Sequence, residues 1–560
     1  MAWLASIGAI SFFAIFGTFS LIVGLFTLFG FHPIYKQVFD ERNVLKQEDD
    51  GQLTRTTFWW AKPPVDTYQD FYFMNILNPE QVEFFGAKPI VKQIGPFVVR
   101  NLNIKDNLTF SADGNRVKYF NYRTFIFDEA RSCETCKYDS IVYVPNLVAL
   151  GTLGELADPR YKVPEHIQRL IAYVMIFMGE YPFVRVKFGE LIFDGYDDAL
   201  LAAANSKLVN KLQILNNNIS IVPVPFPNMH RMAFFNRYNN SADSEYEVYT
   251  GKDDLKKKGK IITWNGDTKL PSAWWEDDDA RALRGTDSGQ FAETQLNENS
   301  EVSFFQSYMC RSFTLRYRRK TSVHNIPTLR FESKVEEFDT TLPMNAGFRY
   351  ANAENIKYFD NWPNCDNYTQ PEGELDCDKP EFWCNSTCGG ATFNGTQLMP
   401  PGMYPVNCYP GRPEPTPFRL LFSAPHFATA PEAVRNSVIG YSNLNEEATV
   451  FSFDYEPNSG TPLGMNIRFQ VSIPFGKMNK FPTVRQFPNN IFPVFWMDNH
   501  NHIKKSVLDE LYFGLITVPH IADIVAYSAI GIFLAFLVLT LFSLYRYRRL
   551  NSKPSGGNLN

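Results

Sequence analysis

The stretch Ile524-Val-Ala-Tyr-Ser-Ala-Ile-Gly-Ile-Phe-Leu-Ala-Phe-Leu-Val-Leu-Thr-Leu-Phe-Ser-Leu-Tyr545 carries no charge and is followed at once by Arg546, Arg548 and Arg549. An apolar run of this length crosses a bilayer as one helix, and the basic cluster after it reads as a cytoplasmic stop. The alternative, a buried core helix, does not fit the basic stop and polar tail that follow directly. At the other end no residue from Ala2 to Tyr35 is charged. At about 1.5 Å rise per residue, Ala2–Phe31 is long enough to span about 30 Å of hydrocarbon. A cleaved signal peptide is disfavoured: the run outlasts an ordinary h-region, no basic n-region precedes it, and no small-x-small cleavage site follows. Two spans place both termini on one side, and the arginine cluster makes that side the cytosol. Lys36, Arg42 and Lys46 after the first span pull the other way, but long loops translocate largely regardless of charge.

The expected organisation is therefore a span at 1–31 with a very short cytoplasmic end, an extracytoplasmic body at 32–523, a span at 524–545 and a cytoplasmic tail at 546–560. All 8 cysteines fall in the body: Cys133, Cys136, Cys310, Cys365, Cys377, Cys384, Cys388 and Cys408. An even count clustered this way suits disulfides in an oxidising compartment. Sequons begin at Asn107, Asn218, Asn239, Asn367, Asn385 and Asn394, and the last three sit beside cysteines in a stapled, glycosylatable loop at 362–408. The 560-residue chain has 54 Lys+Arg against 59 Asp+Glu, so it carries no nucleic-acid footprint. Its 50 Phe, 27 Tyr and 9 Trp are enough to fill a large core.

Within the body the chain opens on short strands and turns. Tyr35–Gln52 reads as a polar helix and 59–66 as a proline-containing turn. Phe71–Leu77 reads as a short aromatic strand, and the alternation over Arg116–Phe127 as another. Pro164–Gly179 has helical length and no breaker, and a second helix is expected over Asp197–Leu215. Strands return from Ile262. The pattern is α+β: a mainly antiparallel sheet system with a helical insertion near 160–215.

Catalytic signatures are weak. Cys133-x-x-Cys136 lacks the strand–helix context of a redox pair and reads as a local disulfide. Thr286-Asp287-Ser288-Gly289 resembles an aspartic-protease loop, but that chemistry needs two carboxylates sharing a proton and no second copy occurs. No G-x-S-x-G, H-E-x-x-H, P-loop or G-x-G-x-x-G occurs. No enzyme, metal or cofactor is expected. Two basic runs, Lys256-Lys257-Lys258-x-Lys260 and Arg316-x-Arg318-Arg319-Lys320, are either solvated faces or attractors of anionic lipid and lipoprotein.

A set of ordered blocks goes further. Trp60-Ala-Lys-Pro-Pro64 leads into Tyr68-Gln-Asp-Phe-Tyr-Phe-Met-Asn-Ile-Leu-Asn-Pro-Glu80, then Lys88-Pro-Ile-Val-Lys-Gln-Ile-Gly-Pro-Phe-Val-Val-Arg100. Gly189-Glu-Leu-Ile-Phe-Asp-Gly-Tyr-Asp-Asp198, Phe235-Asn-Arg-Tyr-Asn-Asn-Ser241, Tyr249-Thr-Gly-Lys252 and Gly285-Thr-Asp287 follow. Cys310-Arg-Ser312, Ser423-Ala-Pro-His-Phe427 and Asp454-Tyr-Glu-Pro-Asn-Ser-Gly460 complete the series. In this order, between two terminal spans, they resemble the class B scavenger receptor family, which includes a fatty-acid translocase, a high-density-lipoprotein receptor and a lysosomal integral membrane protein.

The resemblance implies a distorted antiparallel β-barrel capped at its membrane-distal end by a helical bundle, with a largely apolar tunnel through the barrel. It implies a cell-surface receptor that binds fatty acids, sterols, phospholipids or lipoprotein particles at the cap and transfers lipid inward, with homo-oligomerisation left open. Candidate ligand contacts are Arg169, Tyr173 and Phe177 on the helical section, and Lys256, Lys257 and Lys258. Cys310 and Cys408 match family cysteines expected to pair. Cys133 matches a position often held by a lone cysteine, and Cys136 is an extra partner for it. Cys365, Cys377, Cys384 and Cys388 belong to an insertion, and their two pairs allow three connectivities. An adhesion receptor for anionic particles and a trafficking receptor for a soluble protein are the rival readings. The tail lacks an acidic di-leucine signal, which favours the plasma membrane over endosomes and lysosomes.

Overall fold

The computed structural model describes residues 6–158, 162–206, 229–275, 277–340, 342–349, 369–376, 399–408, 415–441 and 451–552. It also describes residues 382, 384, 385, 392, 393, 396, 397, 411 and 413. The chain divides into two compact units: Met1–Val44 with His324–Ile326 and Lys504–Asn560, and Leu45–Val323 with Pro327–Ile503.

In the first unit two helices are long and apolar enough to cross a membrane, Ile7–Arg42 and Lys505–Asn551. They pack through small residues. The Ser20 hydroxyl donates to the Ala529 carbonyl at 2.7 Å, and a Cβ on Gly24 would lie 3.2 Å from the Ala526 oxygen. Close backbone approach of this kind is how apolar helices associate where burial from water gives no drive. Each helix outruns the apolar segment read from sequence, because the polar flanks continue the helical hydrogen-bond ladder: Asp40–Arg42 at one end and Arg546–Asn551 at the other.

The second unit is built on one sheet. Its principal strands are β1 (Val65–Ile76), β2 (Val91–Phe110), β3 (Arg116–Phe127), β4 (Tyr246–Tyr249), β5 (Ile261–Trp264), β6 (Thr286–Asp287) and β7 (Glu301–Gln306). They continue with β8 (Arg311–Val323), β9 (Ile326–Ser333), β10 (Met403–Cys408), β11 (Pro415–Ser423), β12 (Ser452–Glu456), β13 (Thr461–Phe475) and β14 (Asn490–Ile503). The spatial order is β5-β4-β3-β2-β1-β14-β13-β12-β9-β8-β7-β6, with β11 paired to β13 and β10 to β11. The two ends of this order meet. The Ile261 N–H donates to the Gly285 carbonyl at 2.9 Å, and Lys260 bridges Thr286. The sheet is thus a nearly closed barrel, which removes the exposed edges of an open sheet. Closure depends on Gly285, whose φ is +74° and where a Cβ would lie 1.7 Å from the Ser303 oxygen.

Alternation fills the interior. On β3 the inward row is Val117, Tyr119, Asn121, Arg123 and Phe125, all buried. Phe71, Phe73, Phe97, Phe188 and Phe495 form one aromatic cluster, in which Phe97 and Phe188 stack at 4.6 Å. Among the described residues, three α-helices lie between β3 and β4 in sequence: α1 (Leu147–Ala157), α2 (Glu165–Phe177) and α3 (Ala199–Ala204).

Local expectations need adjusting at several points. The segment read as a turn at 59–66 begins inside a helix, Arg55–Ala61, whose start is fixed by the Thr54 hydroxyl accepting from the Thr57 N–H. The strand read as Phe71–Leu77 runs over Val65–Ile76, since it pairs on both sides along its length. Of the helix expected at Asp197–Leu215, α3 accounts for Ala199–Ala204, and residues 207–215 lie outside the described residues.

Candidate functional site

The helical section is asymmetric. On α1 the Asn146 side chain accepts the Val148 and Ala149 N–H groups, and Leu147, Leu150, Leu153 and Leu156 are buried. On α2, Gln168, Ala172 and Met175 face inward. Its other face carries Leu170, Tyr173, Val174 and Phe177 in solvent, with Phe177 93% exposed. Arg169, Tyr173 and Phe177 are one turn apart on this exposed face, and Arg169 pairs with Glu165 at 2.7 Å. An exposed apolar patch on a helix marks a surface for association with something apolar.

The α2–α3 connection buries two carboxyl groups, Glu180 and Asp198. Glu180 accepts from the Asn146 side chain at 3.1 Å and from the Ala199 N–H at 3.1 Å. Asp198 caps α3 by accepting from Leu201 N–H at 3.0 Å. Burial, and then the neighbouring Glu180, pushes the Asp198 carboxyl up to about 7.

The basic runs present less charge than their sequence suggests. Lys256 and Lys257 are exposed, but Lys258, read as part of the same surface patch, is buried. Asp254 caps a short turn over Leu255–Lys257, and Gly259 at φ +73° then reverses the chain, which swings Lys258 inward. In the second run Arg316 pairs with Glu301 at 2.7 Å and Lys320 with Glu298 at 3.1 Å. Nearby, Asp278 pairs with Lys269 at 2.8 Å and with Arg281 at 3.3 Å.

Inside the barrel lies a cavity of about 60 Å³. Phe234, Phe422, Ile467, Phe469, Phe495 and Met497 contribute apolar walls. Gln69, Arg123, Gln306 and Asn499 add a polar zone, in which Gln69 and Asn499 face each other across the β1–β14 ladder. The Arg123 guanidinium lies 4.0 Å above the Tyr308 ring. Nothing in the first reading of the sequence singled Arg123 out, although the period-2 alternation of β3 places it on the same face as Val117 and Phe125.

A buried polar hub adjoins it. Asp287, read as a weak protease-like residue, is buried and accepts from Tyr119 at 3.2 Å, Asn121 at 3.0 Å, Gln290 at 3.2 Å and Ser288 at 2.7 Å. Asp243 accepts from Tyr246 at 2.8 Å and Ser307 at 3.1 Å. Burial pushes the Asp243 carboxyl up to about 7, against the opposing pull of Arg123. Burial also brings the Lys105 ammonium down to about 8. Hydroxyl and amide donors engage both oxygens of Asp287 and Oδ2 of Asp243, which is the arrangement of a structural network, while Asp243 Oδ1 is left without a partner among the described residues.

Cys133 is joined to Cys136 and Cys310 to Cys408. Cys384 is disulfide-bonded, while Cys365, Cys377 and Cys388 lie outside the described residues. Asn107 is exposed at a bulge in β2. Asn239 is exposed, but its amide holds the backbone of Phe125 at 2.9 and 3.3 Å. Asn385 donates to Gln370 at 2.9 Å. Asn218, Asn367 and Asn394 fall outside the described residues.

Over nearly its whole length the sequence has relatives among known proteins. The chain is 33% identical over 534 residues to an uncharacterised protein of Caenorhabditis elegans, covering 95% of this chain and 96% of that one. It is 25% identical over 499 residues to scavenger receptor class B member 1 of Sus scrofa, covering 89% and 83%. It is 25% identical over 475 residues to lysosome membrane protein 2 of Homo sapiens, covering 85% and 83%. The family model described as the CD36 family matches residues 15–544, and the chain belongs to that family as a membrane protein of the scavenger receptor type.

Proposed function

We propose that the protein is a cell-surface receptor that binds lipids or lipoprotein particles on its helical section and passes lipid through the barrel to the membrane. It acts without covalent chemistry. Both termini face the cytosol and the body 32–523 faces outward. The observation that carries this reading is the exposed row Leu170, Tyr173, Val174 and Phe177 on α2. Such a row gains by docking on an apolar particle surface, at about 25 cal/mol per Å² of apolar area covered. Ion pairing of the second basic run and burial of Lys258 weigh against a receptor led by charge alone.

The test is delivery of a fluorescent cholesteryl ester from lipoprotein particles to cells expressing the full-length chain, against cells without it, across a salt series. Saturable delivery that is nearly flat in ionic strength is expected. Particle binding that falls steeply with salt and delivers no lipid would replace this reading with adhesion to anionic particles.

A further inference from the structure

Arg123 is a cation built into the apolar interior of the barrel without the acceptors it needs. The residue is more than nine-tenths buried, and its Nε and Nη2 atoms have no hydrogen-bond acceptor among the described residues. The nearby carboxylates stabilise its charge across space but do not accept from these donors. Both oxygens of Asp287 are taken by Tyr119, Asn121, Gln290 and Ser288, and Asp243 directs Oδ2 to Tyr246 and Ser307. Asp243 Oδ1 is itself unpartnered rather than bonded to Arg123. A buried guanidinium keeps its charge, so unmet donors on it are costly and call for an anion or water.

The surroundings favour one kind of anion. Arg123 lines the barrel cavity together with Gln69 and Asn499, whose side-chain oxygens are also buried and unpartnered. Amide groups present either a donor or an acceptor by turning over, so they adapt to a bound oxyanion. The remaining walls are aliphatic and aromatic. A fork of donors in the wall of a largely apolar chamber matches an amphiphile with an anionic oxygen head, since guanidinium binds carboxylate and phosphate in a bidentate manner. The cavity of about 60 Å³ has room for a few water-sized groups and hence for such a head. A chain would follow by parting apolar side chains such as Phe234 and Met497.

We propose that Arg123 is the headgroup anchor of a selective site inside the barrel, one that takes lipids bearing an oxyanion head in preference to neutral lipids of equal chain length. This rests on the lipid-transfer reading above and adds to it a chemical class. A barrel that served only as an apolar conduit would have no use for a guanidinium with unmet donors on its inner wall.

The test uses purified full-length protein in nonionic detergent and three radiolabelled probes of matched chain: oleate, oleyl alcohol and oleoyl-lysophosphatidic acid. Wild type is expected to bind oleate or the lysophosphatidate at least tenfold more tightly than the alcohol, and the preferred probe identifies the head as carboxylate or phosphate. Arg123→Gln is expected to lose that preference while binding the alcohol within twofold of wild type, and Arg123→Lys to retain part of it. If Arg123→Gln does not fold, oleate labelled with ¹³C at the carboxyl replaces it on the wild-type protein. The bound carbon should then titrate at a lower pH than oleate in empty micelles. Equal affinity of wild type for all three probes, an unchanged preference in Arg123→Gln, or a bound oleate that titrates like the micellar one would overturn the proposal. Arg123 would then be satisfied by trapped water or by Asp243. Absence of saturable binding for every probe would instead sink the lipid-transfer reading, and the anchor with it.

Discussion

The Lys258 ammonium lies 3.9 Å above the centre of the Phe291 ring and donates to the Ser459 carbonyl at 3.2 Å. This joins the lysine run after Tyr249-Thr-Gly-Lys252 to the turn of Asp454-Tyr-Glu-Pro-Asn-Ser-Gly460. Glu456 in that turn is occupied by the Ser459 N–H and hydroxyl at 2.7 and 2.6 Å. Burial lowers the Lys258 ammonium to about 7. Its folded value is below its unfolded one, so the penalty for holding the proton is complete below about pH 7. That penalty is relieved as pH rises toward the unfolded lysine value of about 10.4. Lys258→Met keeps the contact with Phe291 and leaves Glu456 satisfied. Its thermal midpoint should equal or exceed wild type at pH 6.5, and its stability should be flatter between pH 7 and 9 in a thermal-shift series. A loss of more than about 2 kcal/mol at pH 6.5 would show that the charged lysine stabilises the turn.

Gly285 is required by backbone approach, whereas Gly266 is not. Both have positive φ, +74° and +83°, but nothing lies within 4 Å of a Cβ built on Gly266. Gly285→Ala would drive its methyl into the Ser303 carbonyl, where β6 and β7 pair and the barrel closes. The expected cost is more than about 4 kcal/mol, with loss of folded protein from the cell surface. Gly266→Ala should cost only about 1–2 kcal/mol, from the left-handed conformation alone. Immunostaining of intact cells, with an unfolding curve for whatever is recovered, separates the two.

Particular residues show what the sequence made legible. The long apolar helices at both ends were readable because length and uniform apolarity suffice. The helix over Glu165–Phe177 and the strand Arg116–Phe127 were readable because they have clean periodicity and no breaker. The barrel was expected only through the family resemblance, because the Lys260–Thr286 bridge that closes it joins short strands at opposite ends of the sheet order and has no local signature. Lys258 looked like surface because a charge run normally solvates, and only the turn at Gly259 reverses that. Arg123 was legible in principle. Once β3 is accepted, alternation forces its side chain inside, and an inward arginine is the exception that marks chemistry.

Phe177 should separate binding from stability. At 93% exposure it has almost no packing to lose, so Phe177→Asp should move the thermal midpoint by less than about 0.5 kcal/mol equivalent. Together with Tyr173→Asp it places two charges on the exposed face of α2, next to the Arg169–Glu165 pair. Lipoprotein binding to cells expressing this double variant should fall at least tenfold at equal surface expression. Met175→Asp, on the buried face of the same helix, should instead reduce expression. Unchanged binding by the double variant would remove α2 from the docking surface.

The helical section should be more stable in acid than at neutral pH. Asp198 has a folded value of about 7 against an ordinary carboxyl value near 3.8, raised by burial and then by Glu180. The folded state therefore holds a proton that the unfolded chain releases between these two values. The resulting stabilisation is complete below about pH 4 and disappears as pH climbs through about 7. A shift of this size is worth on the order of a few kcal/mol. The groups packed around the pair are Asn146 at the start of α1 and the Ala199 and Leu201 N–H groups of α3. They donate to the carboxylates whether or not the extra proton is present, so the proton serves first to avoid burying the Asp198 charge and then to relieve its repulsion by Glu180. Asp198→Asn keeps a capping oxygen for α3 and removes the titration. Hydrogen exchange of residues 147–204 in the full-length protein should slow between pH 7 and pH 5, after correction for intrinsic exchange, and that slowing should vanish in Asp198→Asn. Equal protection at both pH values in wild type would mean that Asp198 stays ionised, and the helical section would then draw no pH dependence from it.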